Sequence, residues 1–356
     1  MRLAKNRVDA FCARFSLRAP VLLAPMSGAS APSLSIAIAN AGGLGACGAL
    51  LMQPAEIIAW ANEVRSASNG AFQINLWIPE PAPTRNAEHE TRVRKFLSSW
   101  GPVVPAEAGD TTLPDFASQC EALLAIAPPA VSSVMGLYPP EFVAKLKKYG
   151  IAWIANITAV AEARAAEAAG ADVITVQGAE AGGHRGCFNQ ADAERKLVGL
   201  FALLPAVVDA VKVPVVATGG IADARGVAAA ITLGASAAQI GTGFLRCPEA
   251  KIHPAWANVI GQTAPEEIVL TRAFSGRAGR SIATNYVRAA MAEDAPAPAP
   301  YPVQRGLTAA MRALAQQEGD VQRMQAWAGQ SAALSKAEPA GKVFQQIWEE
   351  AQKLLP

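Results

Sequence analysis

Short runs rich in Val, Ile and Leu, bounded by Gly, Pro or Asn, recur along the chain at 20–27, 44–49, 72–78, 130–135, 151–157, 171–177, 213–218 and 235–242. Their length and content make them eight candidate strands. Each run is apolar on both faces, the pattern of parallel strands covered by helices. Between them the period changes. Residues 54–66 begin with Pro54 at a first-turn position and carry Ile57, Ile58, Ala61 and Val64 at three- and four-residue spacing. Residues 139–149 and 159–169 stop at Gly150 and Gly170, and 222–233 stops at Gly234, as helices with glycine C-terminal caps do. Strand and helix alternating eight times predict a (β/α)8 TIM barrel. A doubly wound open sheet is the alternative, but it would more naturally use fewer strands before a domain break.

Two stretches break the rhythm. Residues 79–115 hold six prolines around a charged patch at 85–95 and read as an insertion after the third strand, with a short helix, lying over the barrel mouth. Residues 292–302, with the string APAPAPYP, read as an extended linker, and 304–355 reads as helical. The expected organisation is a barrel over 1–250, interrupted at 79–115, with a C-terminal helical extension over 251–356 packed on it. No internal repeat is visible beyond the strand–helix unit.

Composition narrows the function. The 31 Lys and Arg nearly balance 29 Asp and Glu, for a net charge of +2, which argues against a nucleic-acid surface. With 51% hydrophobic and 17% charged residues, a buried core is favoured over disorder. No apolar run approaches the ~18 residues of a membrane span. Charges scattered from Arg2 to Arg18 deny the N-terminus a secretory signal core, so a cytoplasmic chain is expected. Five cysteines without a C-x-x-C pair speak against a disulfide framework or a thiolate zinc site. Three histidines, His89, His184 and His253, lie too far apart for a spaced His pair, so no metal centre is expected.

Barrel active sites are built from loops at the C-terminal ends of strands. The glycine pairs Gly219-Gly220 and Gly241/Gly243 fall after the seventh and eighth strands, where barrels often bind phosphate through loop and helix-start N–H groups. Asn75 and Gln177 are amides that can donate and accept, suited to the edge of a heterocycle such as a flavin pyrimidine or, alternatively, to satisfying backbone groups at the barrel mouth. Met26 ends the first strand. His184 stands among Gly182, Gly183 and Gly186, where neither a helix face nor a core strand explains it, and can exchange a proton near neutral pH. His89 and His253 read as solvated, and Cys187 as a packing residue.

The strings APMSGASAPSLSIAIANAGGLGACGAL, FQINLWIPEP, VQGAEAGGHRG, VVATGGIADARGVAAAITLGASAAQIGTGFL and AWAGQSAAL, in order from about Pro20 to Ala333, closely resemble the FMN-dependent nitronate monooxygenases, formerly 2-nitropropane dioxygenases. The resemblance implies that Gly219, Gly220, Gln239, Ile240, Gly241 and Thr242 hold the FMN phosphate. It implies that Met26, Asn75, Gln177 and Gly182 contact the isoalloxazine or ribityl chain, and that His184 faces the substrate. Trp327, Gly329 and Gln330 would close the site from the C-terminal segment. Ser27 stands where alanine is common in the family, a change without expected loss of function. The implied reaction, a detoxification, is oxidation of alkyl nitronates, propionate 3-nitronate among them. One electron passes to the flavin and O2 completes the conversion to a carbonyl compound and nitrite, with no NADH needed. The protein would be a monomer or homodimer. An NAD(P)H-dependent flavin reductase for quinones or enoyl thioesters on the same barrel, and a non-catalytic FMN carrier, remain as alternatives.

Overall fold

The computed structural model describes residues 2–355. Helix α1 (Arg2–Phe15) leads into β1 (Val21–Leu23), α2 (Pro32–Ala41), β2 (Gly45–Gly48), α3 (Pro54–Ala67) and β3 (Phe72–Trp77). The insertion then contributes α4 (Ala87–Leu97). Beyond it run α5 (Phe116–Ile126), β4 (Ala130–Val134), α6 (Pro140–Lys148), β5 (Ala152–Ile157), α7 (Val160–Ala168) and β6 (Val173–Gln177). A two-residue strand β7 (Gly183–His184) precedes α8 (Leu200–Val208), β8 (Val215–Thr218), α9 (Ala224–Thr232) and β9 (Ala237–Ile240). All eight expected strands are present in order, each inside its predicted run. Helices α1, α2, α5 and α8 have no counterpart in the sequence reading. In α8 the string LFALLPAVV is apolar nearly all round and carries Pro205, so it shows no helical stripe.

The eight barrel strands pair in parallel in the order β1-β9-β8-β6-β5-β4-β3-β2. A parallel bridge between Leu22 and Leu44, with Leu23 N–H donating to the Leu44 carbonyl at 2.9 Å, brings the last strand back to the first. The barrel is nearly closed.

Alternation along these strands separates two surfaces. Ile74, Leu76, Val131, Trp153, Val176 and Ile240 face outward into the helical layer and are fully or almost fully buried. The inward face changes with height. At the N-terminal end it is apolar, where Leu22, Leu44, Ile154, Val173 and Val216 pack on Phe11 and Phe15 of α1, which plugs the barrel. Toward the C-terminal end the same inward rows carry Gln73, Asn75, Ser132, Asn156, Thr175, Gln177 and Gln239. The upper floor is therefore lined by amides and hydroxyls, so the expectation of strands apolar on both faces holds only for the outward face and the lower part of the inward one.

After β9 the chain leaves the barrel for α10 (Pro254–Ile260), β10 (Ile268–Thr271), β11 (Gly279–Ile282), α11 (Asn285–Ala290), α12 (Val303–Leu307) and α13 (Ala309–Glu318). The C-terminal segment expected to be helical thus also contains two strands. These form an antiparallel hairpin whose β11 pairs with β7, so Gly279 lies opposite His184. Val93 and Leu97 of the insertion share a second core with Phe274, Tyr286, Val303 and Met311. Finally α14 (Ala340–Leu354) returns to pack between α2 and α9, the eighth place in the helical ring. No helix among the described residues is long and apolar enough to cross a membrane.

Candidate active site

A cavity of about 1050 Å³ opens over the C-terminal ends of the barrel strands. Its floor is the inward polar row. Gln73 donates to Gln239 Oε1 at 3.0 Å, and Asn75 donates to Ser132 Oγ at 3.1 Å. Gln73 Oε1, Asn156 Nδ2 and Thr175 Oγ1 are buried and have no hydrogen-bond partner. Each unmade bond costs on the order of 1–3 kcal/mol, so three at one floor point to a ligand that supplies both donors and acceptors. Of these three residues the sequence reading includes Gln73 within the FQINLWIPEP string, without a role of its own, and does not single out Asn156 or Thr175. Their signal was a polar residue at every second position of otherwise apolar strands.

One end of the cavity is rimmed by glycine loops. Gly219 (φ +105°) and Gly220 (φ +68°) end β8 in the left-handed region that only glycine enters without strain. Gly241 and Thr242 follow β9 and line the same cavity. The C-terminal segment ties the two loops together: Ser331 Oγ donates to the Gly220 carbonyl at 2.5 Å, and Gly329 N–H donates to Thr242 Oγ1 at 3.0 Å. Asp223 caps α9 by accepting from the Arg225 and Gly226 amides, so the start of that helix has its own acceptor. Gly182 permits the 328–329 segment to approach, since a Cβ there would lie 2.5 Å from Gly329 N.

Opposite stands His184. Its Nε2 lies 2.8 Å from Ser275 Oγ, and Nδ1 has no partner among the described residues. Trp77 meets the imidazole edge-on at 4.8 Å between centroids, Trp327 lies at 5.0 Å, and Tyr301 tilts against Trp77 at 5.6 Å. Burial, and then the positive charges of Arg277 and Arg305, push the His184 pKa down to about 3. The ring is neutral across the ordinary pH range. No Asp or Glu lines the cavity among the described residues, and burial raises the Cys47 thiol there to about 12. Neither a carboxylate nor the Cys47 thiol is therefore a base beside His184, whose ring binds a proton only weakly.

The nominated residues divide. Met26, Asn75, Gln177, Gly182, His184, Gly219, Gly220, Gln239, Gly241 and Thr242 all line this one cavity, with Trp327 and Gly329. Gln177 is engaged in holding the histidine loop: its Nε2 donates to the His184 carbonyl at 3.1 Å and its Oε1 accepts from Gly186 N–H at 2.8 Å. Ile240 does not line the cavity, because strand alternation turns it outward into the helical core. Gln330 points its side chain toward the Pro265 carbonyl, and Gly329 and Ser331 flank it on the cavity wall instead. His253, read as solvated, is half-buried, lines the cavity and caps α10 by accepting from Ala255 N–H. Trp77, Ser275, Arg277, Tyr301 and Arg305 complete the His184 surroundings, and sequence reasoning missed them because they come from segments distant in the chain. Among the described residues no group of three His, Cys, Asp or Glu side chains could hold a metal ion.

A barrel mouth with a glycine-rich rim, a floor of buried polar atoms without partners and a neutral imidazole, but no carboxylate pair, is the geometry of a barrel that takes a polar ligand at the C-terminal ends of its strands. A family model described as nitronate monooxygenase matches residues 10–350. The chain is 36% identical over 343 residues to a nitronate monooxygenase of Paraburkholderia phytofirmans, covering 94% of this chain and 93% of that one. It is 30% identical over 357 residues to a probable nitronate monooxygenase of Staphylococcus aureus, covering 99% and 98%. Among solved structures, a nitroalkane oxidase of Streptomyces ansochromogenes superposes with a TM-score of 0.86 at 32% identity, covering 97% and 98% of the two chains. FabK of Thermotoga maritima superposes with a TM-score of 0.74 at 26% identity, covering 97% and 96%. The chain belongs to the nitronate monooxygenase family, and it is a flavin-dependent oxidoreductase acting on nitronates.

Proposed function

We propose that this protein oxidises alkyl nitronates, propionate 3-nitronate among them, with O2 to carbonyl compounds and nitrite. In this reading FMN is held with its phosphate on the Gly219-Gly220 and Gly241-Thr242 loops and its ring edge over Gln73, Asn75, Asn156 and Thr175. The orphaned polar atoms of that floor support the placement. When bound, FMN supplies the one-electron acceptor that the polypeptide lacks.

The chain's own residues bind and orient. His184, neutral and fixed through Nε2 to Ser275, turns Nδ1 toward the nitronate oxygens. Trp77, Trp327 and Tyr301 wall off water, which strengthens every charge interaction inside. Arg277 and Arg305 supply the positive field that attracts a nitronate and stabilises its charge as it leaves as nitrite. A nitronate is already deprotonated at carbon, so a cavity without carboxylates and with a weakly basic His184 suffices for it, whereas a neutral nitroalkane would need a base at its carbon. The neutral His184 in a cavity without carboxylates is the observation that carries the proposal. We place the protein in the cytoplasm, as a monomer or homodimer, with its five cysteines free.

The test is oxygen uptake by FMN-loaded protein on adding propionate 3-nitronate without NADH, with nitrite assayed. Uptake with nitrite is expected. No uptake, together with fast anaerobic bleaching of the flavin by NADH, would replace this reading with the NAD(P)H-dependent flavin reductase.

A further inference from the structure

We propose that Glu80 and Arg277 form a positioning pair that fixes the His184 wall, an inference that rests on the role given to His184 above. Arg277 lies in the turn of the β10–β11 hairpin, and its side chain is only 2% exposed. Its Nη2 donates to Glu80 Oε1 at 2.9 Å and its Nε to Gln190 Oε1 at 3.0 Å. The guanidinium lies 5.5 Å from the Trp77 ring centroid and 5.8 Å from that of Tyr301. Its backbone N–H donates to Ser275 Oγ at 3.3 Å, the hydroxyl that meets His184 Nε2. Arg277 thus reaches His184 twice, through Ser275 and through the indole of Trp77.

A buried cation holds its place only with a counter-charge. Glu80 supplies it from the start of the 79–115 insertion, three residues beyond Trp77. Its side chain is 35% exposed and does not line the cavity, so it acts on the reaction only through Arg277. Without its charge the guanidinium is drawn toward water, the face on which Trp77 and Tyr301 stack is lost, and the imidazole gains freedom. Misplacement of a reacting group by about 1 Å can cost about 10²-fold, so looser restraint is assigned about tenfold.

The experiment compares FMN-loaded wild type with Glu80→Gln, Glu80→Asp and Arg277→Lys. It measures kcat and KM for a nitronate, and the His184 imidazole NMR signal, which is readily assigned in a chain with three histidines. Glu80→Gln is expected to lower kcat about tenfold with KM within about twofold, and to shift and broaden the His184 signal. Glu80→Asp should recover several-fold of that loss. Arg277→Lys, which keeps the charge but loses the planar fork, should reproduce the Glu80→Gln phenotype and serves in its place if that variant does not fold. Wild-type kcat with an unshifted His184 signal in Glu80→Gln or Arg277→Lys overturns the proposal. If wild type itself does not oxidise nitronates, the function reading fails, while the NMR signal still decides the positioning role.

Discussion

The depressed pKa of His184 makes a prediction about acid stability. Folded, the imidazole titrates at about 3; in the unfolded chain it returns to its ordinary value of 6.5. Between those values the unfolded state binds the extra proton, so stability rises with pH and is lost as pH falls through the window. One unit of pKa corresponds to about 1.36 kcal/mol, so moving from pH 7 to pH 5 should remove about 2 kcal/mol on account of this residue alone. The ring is only half-buried in the FMN-free protein, and this partial exposure lowers the expectation to about 1–2 kcal/mol. The assay is urea unfolding of FMN-free wild type and His184→Asn at pH 7 and pH 5, because asparagine does not titrate and the difference cancels every other group. The stability of wild type relative to the variant should fall by the stated amount. An equal loss in both proteins would show that His184 is protonated in the folded state near its ordinary pKa, and the neutral-imidazole argument would fail. A neutral imidazole likewise leaves kcat/KM for preformed nitronate with no ionisation from His184 between about pH 5 and pH 9, which a pH–rate profile checks directly.

Three substitutions probe other parts of the site. His184→Asn should retain FMN, read from the visible spectrum, yet lower kcat/KM about 10²-fold; wild-type-like turnover would remove the histidine from the chemistry. Gly220→Asp sets a carboxylate against the proposed phosphate, at a left-handed position already close to Glu180, and should purify largely without flavin; a fully yellow preparation would refute the anion site. Gly182→Ala places a methyl 2.5 Å from Gly329 N and 2.6 Å from the Ala328 carbonyl carbon, so the 328–329 segment must shift and the Thr242 contact is lost. It should cost about 1–3 kcal/mol in urea unfolding and weaken flavin retention, and unchanged values in both would show that the segment yields freely.

The sequence by itself determined the barrel. Its strands are short apolar runs and its helices α3, α6, α7 and α9 carry apolar positions at helical spacing or glycine stops, signals that depend only on neighbours in the chain. The loop glycines and His184 were legible for the same reason, because glycine density at a strand end is local. What tertiary structure alone decided is which faces those residues present and what stands beside them. Ile240 and Gln239 are adjacent in sequence, yet alternation puts one in the helical core and the other on the cavity floor. The floor of Gln73, Asn156 and Thr175 exists only once separate strands are brought into register, because each strand contributes only one or two of its polar residues and the contacts between them run across strands. The walls of His184 come from β3, the β10–β11 hairpin, residue 301 and residue 327, and its nearest hydrogen-bonded side chain, Ser275, lies 91 positions away. Its low proton affinity follows from that assembly: burial and the charges of two distant arginines are properties of the folded interior, and no stretch of sequence contains them.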